Sequence, residues 1–256
     1  MLNYTAYGEH AATPDQPALL IVHGLYGSGR NWGVIAKRMS DTRRVITVDM
    51  RNHGDSPHFD SHSYPEMAGD LAEVIEDIGG PMDVVGHSMG GKAAMVLSLQ
   101  TPALIRRLIV ADIAPVAYTH SQMPFITAMR AVDLSSVTRR SDAEAQLSKL
   151  GVEPALQSFF TQSLDVPAKR WRLNLDVLAR DMNKIMGFPA MEGSFLNPSL
   201  FLSGAASDYV TADHRPAIKT LFPGARFAKI PNAGHWLHAE KPREFEAAIR
   251  TFLDAE

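Results

Sequence analysis

The chain is predicted to be an α/β protein built on a mostly parallel central sheet flanked by helices, and three observations predict it. Short apolar runs recur along the sequence: ALLIV at 18–22, RVITVD at 44–49, RLIVA at 107–111 and SLFLSG at 199–204. Strands buried on both faces of a parallel sheet are continuously apolar, whereas half-exposed strands alternate. Between these runs lie stretches with apolar residues at helical spacing. Candidate polar loops follow the strands directly, where open α/β sheets place their ligand sites.

Taken in order, the first buried strand, 18–22, ends in His23-Gly24. A Gly-rich loop and a short helix over 32–39 follow, then the strand at 44–49 and the polar loop RNHGDSPHFD. Ser63 and Glu66 fit a capping box, in which the hydroxyl caps one amide and the carboxylate reaches back to another. Met67, Leu71, Val74, Ile75 and Ile78 then form one helical stripe, stopped by Gly79-Gly80-Pro81. A strand at 82–85, a helix over 92–100 and a strand at 107–111 continue the alternation. It resumes at 199–204, with a helix from Thr211, a strand at 225–230 and a last helix opened by Pro242.

Between 117 and 197 the alternation breaks, and no strand is expected there. Ser141 and Glu144 fit a second capping box, and 175–185 reads as helix. Residues 120–196 are therefore expected to form a helical cap, or lid, inserted in a core made of 1–119 and 197–256.

Composition excludes whole classes of function. The 256 residues carry 25 Lys and Arg against 28 Asp and Glu, a net charge of −3. That balance gives no electrostatic footprint for nucleic acid or an anionic membrane. Cysteine is absent, which removes disulfides, thiolate metal sites and a cysteine nucleophile together. The N-terminus MLNYTAYGEH lacks a basic start followed by an apolar run, and no apolar stretch approaches 18 residues. A soluble, cytoplasmic chain without a signal peptide, acting as a monomer or homodimer on a small molecule, is expected.

Gly86-His87-Ser88-Met89-Gly90 matches G-x-S-x-G, a short pattern that chance supplies in roughly one chain in ten of this length. Its setting between an apolar strand and a helix strengthens it. This is the setting of a nucleophile elbow, a turn so tight that only glycine fits on either side of the serine. The same residues continue to Gly91-Lys92, as in a phosphate-binding loop, but Ala93 stands where a magnesium-binding hydroxyl is required. The loop Gly27-Ser28-Gly29 opens like a dinucleotide fingerprint, but Trp32 occupies its third glycine position. His23-Gly24 is better read as an oxyanion-hole segment, with the amide of Leu25 pairing with that of Met89. A serine nucleophile needs a base, and His235, late in the chain after the last strand, fits the order serine, acid, histidine. The histidine pairs 58/62 and 235/238 lack the full H-E-x-x-H context, so neither a metal nor any other cofactor is expected. Two acids remain open by spacing: Asp112 and Asp208, each just after a strand.

HGLYGSGRNW, VDMRNHGDSP, GHSMGGKAAM, VADIAPVAY and AGHWLHAEKP together resemble the α/β-hydrolase fold, within it the small bacterial esterases of the YbfF type and their mitochondrial relatives. The resemblance spans nearly the whole core and thins across the insertion. It implies a serine hydrolase with a helical lid, with Ser88 as nucleophile and His235 as base. The acid of that group lies in its DIAP motif, which falls on Asp112. Asp208 stays as the rival, usable in the more widespread hydrolase pattern.

The expected reaction is hydrolysis of carboxylic esters, with acyl-CoA thioesters as further candidates, through an acyl-enzyme. An imidazole base must be neutral, so activity is expected to fall below roughly pH 6–7. Residues 120–196 hold 5 of the 12 Met and 5 of the 11 Phe, which suits either an adaptable acyl pocket or a small core for the insertion. A lyase or C–C-bond hydrolase on the same three residues, or a hydrolase-fold ligand sensor, are the alternatives.

Overall fold

The computed structural model describes residues 1–8 and 16–255. The chain begins with β1 (Tyr4–Tyr7) and β2 (Leu19–Val22). A single 3-10 turn leads to α1 (Gly33–Met39), β3 (Val45–Val48), α2 (Tyr64–Ile78), β4 (Met82–His87), α3 (Met89–Gln100) and β5 (Ile105–Ala111). A helical stretch follows: α4 (Met123–Arg130), α5 (Arg140–Lys149), α6 (Pro154–Thr161), the two-residue strands β6 (Leu164–Asp165) and β7 (Arg170–Trp171), α7 (Leu175–Arg180) and α8 (Met182–Met186). The alternation resumes with β8 (Ser199–Gly204), α9 (Arg215–Leu221), β9 (Arg226–Ile230), α10 (Leu237–Glu240) and α11 (Pro242–Leu253).

Seven strands make one sheet in the order β1-β3-β2-β4-β5-β8-β9. Every pairing is parallel except β1 with β3. Alternate residues of each strand feed opposite faces, so one strand serves two cores. Leu20 and Val22 join Ile46, Val84, Leu108 and Val110 on the face covered by α2 and α3. Leu19 and Ile21 join Val45, Val85, Ile109 and Leu202 on the other, packed on Trp32, Ile35, Phe245 and Ile249. Burying each such side chain contributes about 1.5–3 kcal/mol. That double-sided demand is why these strands are mostly apolar, with few polar residues such as Thr47 and Asp83.

Four readings of the sequence need correction. β1 carries no apolar run to betray it, because as an edge strand it is only partly buried and pairs on one side. The hairpin β6–β7 breaks the expected strand-free stretch, but it consists of two residue pairs. The capping box at the start of α5 uses Asp142, which accepts from the amides of Thr138 and Arg139, and not the pair Ser141 and Glu144. Ser141 lies inside the helix, and Glu144 instead accepts from the hydroxyl of Thr161 on α6. The box at Ser63 and Glu66 forms as expected.

The stretch between β5 and β8 is fastened to loops at the carboxyl ends of the sheet strands and to α2. The amide of His62 donates to Asp181, the hydroxyl of Tyr64 to the carbonyl of Ile185, and that of Ser163 to the carbonyl of Tyr26. Asp181 caps the break between α7 and α8, so 175–185 is two short helices and not one. Among the described residues no helix is long and apolar enough to cross a membrane.

Candidate active site

The turn from β4 into α3 places Ser88 at φ 53° and ψ −120°, a strained conformation for a residue with a side chain. A Cβ on Gly86 would lie 2.5 Å from the carbonyl oxygen of Gly90, which is why the chain can reverse so sharply there only with glycine. The amide of Ser88 donates to the carbonyl of Ala111 on β5, which pins the turn to the neighbouring strand (3.0 Å). Ser88 is lifted out of the sheet and lines a cavity of about 300 Å³.

His235 sits between β9 and α10 and brings its Nε2 to 3.0 Å from Ser88 Oγ. Its Nδ1 lies 2.8 Å from Oδ2 of Asp112. A carboxylate only accepts, so Nδ1 carries the proton and Nε2 is left to accept from the serine. Asp112 is fully buried, and it also accepts from the amide of Gly204 (3.1 Å) and the hydroxyl of Ser207 (2.5 Å). Three donors on one carboxylate fix its plane and keep the imidazole in a single orientation. Asp208, the other acid open to sequence reasoning, is exposed and forms no hydrogen bond with His235. The three residues that meet come from the ends of β4 and β5 and the loop beyond β9, at the carboxyl edge of the sheet.

Leu25 and Met89 line the same cavity. A Cβ on Gly24 would approach the Cβ of Ser88 to 3.2 Å, so the segment after β2 runs directly against the elbow. Within the described residues, no acceptor takes the amide of Leu25 or of Met89. Two buried histidines shape this segment. His23 Nε2 accepts from the amide of Met50 (2.9 Å) and its Nδ1 donates to the carbonyl of Gly24. His53 Nε2 accepts from the amide of Tyr26 (3.2 Å). Burial pushes both below the ordinary histidine range, so both stay neutral and able to accept. Sequence reasoning named His23 only as part of the oxyanion-hole segment and passed over His53. His23 directly follows β2, whereas His53 lies in the polar loop after β3 and carried no signal of its own.

The rest of the cavity is largely apolar, with Phe125, Leu156, Phe160, Ile185 and Met186 contributed from 120–196 and Ile113 from the core. Lys92 is one of its polar lining residues, with Asn31, His120 and Gln122. Its Nζ donates to the carbonyls of Met186 (3.0 Å) and Gly187 (2.5 Å) and lies 4.8 Å from the centre of the Tyr118 ring. Burial pulls its ammonium down to about 7. Both bonds go to the chain itself, so the lysine that suggested a phosphate loop fastens the end of α8 to α3. Among the described residues no group of His, Asp and Glu is placed to hold a metal ion.

The chain is 44% identical over 248 residues to a protein of Mus musculus named sn-1-specific diacylglycerol lipase ABHD11, covering 93% of this chain and 81% of that one. It is 37% identical over 257 residues to esterase YbfF of Escherichia coli (strain K12), covering 98% and 96%. Among solved structures, one described as a marine microorganism esterase superposes with a TM-score of 0.90 at 38% identity, covering 98% of each chain. The profile of the family described as "Alpha/beta hydrolase family" matches residues 19–248, and the chain belongs to that family.

Proposed function

We propose that the chain is a carboxylic ester hydrolase that works through Ser88, His235 and Asp112. The observation that carries this reading is the unbroken series of hydrogen bonds from Ser88 Oγ to His235 to Asp112 at the wall of an apolar cavity. Ser88 Oγ attacks the ester carbonyl while His235 Nε2 takes its proton, and Asp112 stabilises the imidazolium that results. The amides of Leu25 and Met89 receive the oxyanion, each donor being worth about 3–4 kcal/mol. Collapse of the adduct expels the alcohol, which takes the proton from His235. Water, activated by the same imidazole, then releases the acid and restores Ser88.

Residues 120–196 act as the cap of this site, over a core of 1–119 and 197–256. A cavity of about 300 Å³ lies at the small end of ligand pockets, so esters of short acyl groups fit it best. Acyl-CoA thioesters with short acyl groups present the same carbonyl to Ser88.

A series of p-nitrophenyl esters from acetate to palmitate tests this, together with labelling by a fluorophosphonate. Short esters are expected to be cleaved, with rates falling as the chain lengthens, and the label should reach Ser88. The variant Ser88→Ala should lose about 10³–10⁶-fold in kcat and all labelling. Unchanged turnover in that variant would remove the proposal.

A further inference from the structure

The loop after β8 does more than brace Asp112. Two residues beyond Ser207, the ring of Tyr209 lies flat on the imidazole of His235, with centroids 3.8 Å apart and planes 20° from parallel. His87 and Trp236 also adjoin His235, but tilted or edge-on at 4.8 and 5.6 Å. Tyr209 is held in place independently of His235. Its hydroxyl bonds to His120 Nε2 (2.8 Å), its carbonyl accepts from the hydroxyl of Tyr118 (2.7 Å), and its amide donates to Ser207 Oγ (3.3 Å). The face is therefore presented by its own surroundings.

The charge of the imidazole changes during the reaction. His235 becomes an imidazolium as it removes the proton of Ser88. The face of an aromatic ring attracts a cation within about 6 Å, and gains much less from a neutral partner. The attraction therefore grows as the transition state forms, which is the kind of interaction that raises kcat. We propose that Tyr209 is a positioning residue of the reaction, stabilising the imidazolium of His235 through its π face. This rests on the reading of Ser88, His235 and Asp112 given above. Burial, with the nearby carboxylates of Asp208 and Asp112, pushes the Tyr209 phenol up to about 12, so the ring stays neutral while the enzyme works.

The test uses p-nitrophenyl acetate, whose acyl group is too small to depend on the cavity walls, and compares ring electronics at constant shape. Tyr209→Phe keeps the ring and is expected to stay within about threefold of the wild-type kcat. Replacing Tyr209 with 3,4,5-trifluorophenylalanine keeps the shape but depletes the π face, and should lower kcat about 5- to 10-fold below Tyr209→Phe with KM little changed. Tyr209→Leu should fall about as far or further. If it fails to fold, the fluorinated ring still decides, because a merely structural role would not sense the fluorines. Equal kcat for the two aromatic variants would overturn the role of Tyr209 alone. A wild-type chain that neither turns over nor takes the fluorophosphonate would overturn the underlying reading instead.

Discussion

The carboxylate of Asp112 lies 2.8 Å from Nδ1 of His235, although the two residues are 123 positions apart in the chain. They meet because β5 ends at Ala111 in the middle of the sheet, and Asp112 turns its side chain toward the loop beyond β9 at φ 53°. Asn at 112 would offer the ring a poorer partner and upset its tautomer. Asp112→Asn is expected to lower kcat on the order of 10⁴-fold. Asp208→Asn, altering an exposed side chain, should change kcat by less than about threefold. Steady-state kinetics of the two variants side by side check this. Reversed effects would move the acid to Asp208.

The elbow has no room for a methyl group at Gly86, where it would meet the Gly90 carbonyl at 2.5 Å. Gly86→Ala should destabilise the fold by about 2–3 kcal/mol, the cost of forcing backbone apart in a packed core. Activity should fall further than stability explains, because Ser88 is displaced with the turn. Urea unfolding and kcat measured on the same preparation separate the two effects.

Acid stability follows from buried neutral histidines. Burial, aided by Arg51, holds His62 down at about 3, and burial with His235 nearby holds His238 at about 3. The unfolded chain binds these protons near 6.5, so it holds more protons than the fold below that pH. Their contribution is fully present above about pH 6.5 and is lost as pH falls toward 3. The unfolding free energy should drop by up to about 1.4 kcal/mol per pH unit for each group. His238 stacks on Trp32 at 4.0 Å, so His238→Phe keeps the stack and removes one titration. A shallower acid slope in that variant is the expected result.

Lys92 should give an effect of the same sign in a higher pH window. Its ammonium, pulled down to about 7 by burial, releases a proton in the fold that the unfolded chain keeps to about 10.4. The unfolded state again binds more protons, so stability should rise with pH between about 7 and about 10.4. Lys92→Met should abolish that rise. A rise of equal slope in the variant would show that other groups produce it.

The buried parallel strands, the elbow and the late histidine were legible in the sequence because each depends on local constraints. ALLIV and RLIVA announce double-sided burial, and glycines two before and two after a serine announce a turn that tolerates no side chain. The choice between Asp112 and Asp208 was not local. Both follow apolar strands, and only the tertiary arrangement sets β5 beside β4 and leaves Asp208 exposed between Ser207 and Tyr209, which turn toward Asp112 and His235. The roles of Ser207 and Tyr209 were equally hidden, since stacking and bracing depend on which loops share an edge of the sheet. The capping box at Ser141 failed for a related reason: the pattern was present, but Asp142 reached the free amides first. The amino-acid sequence by itself determined the layered α/β architecture and singled out Ser88 as the candidate nucleophile. Tertiary structure decided what surrounds that nucleophile, because side chains distant in sequence meet only through the crossing order of the sheet.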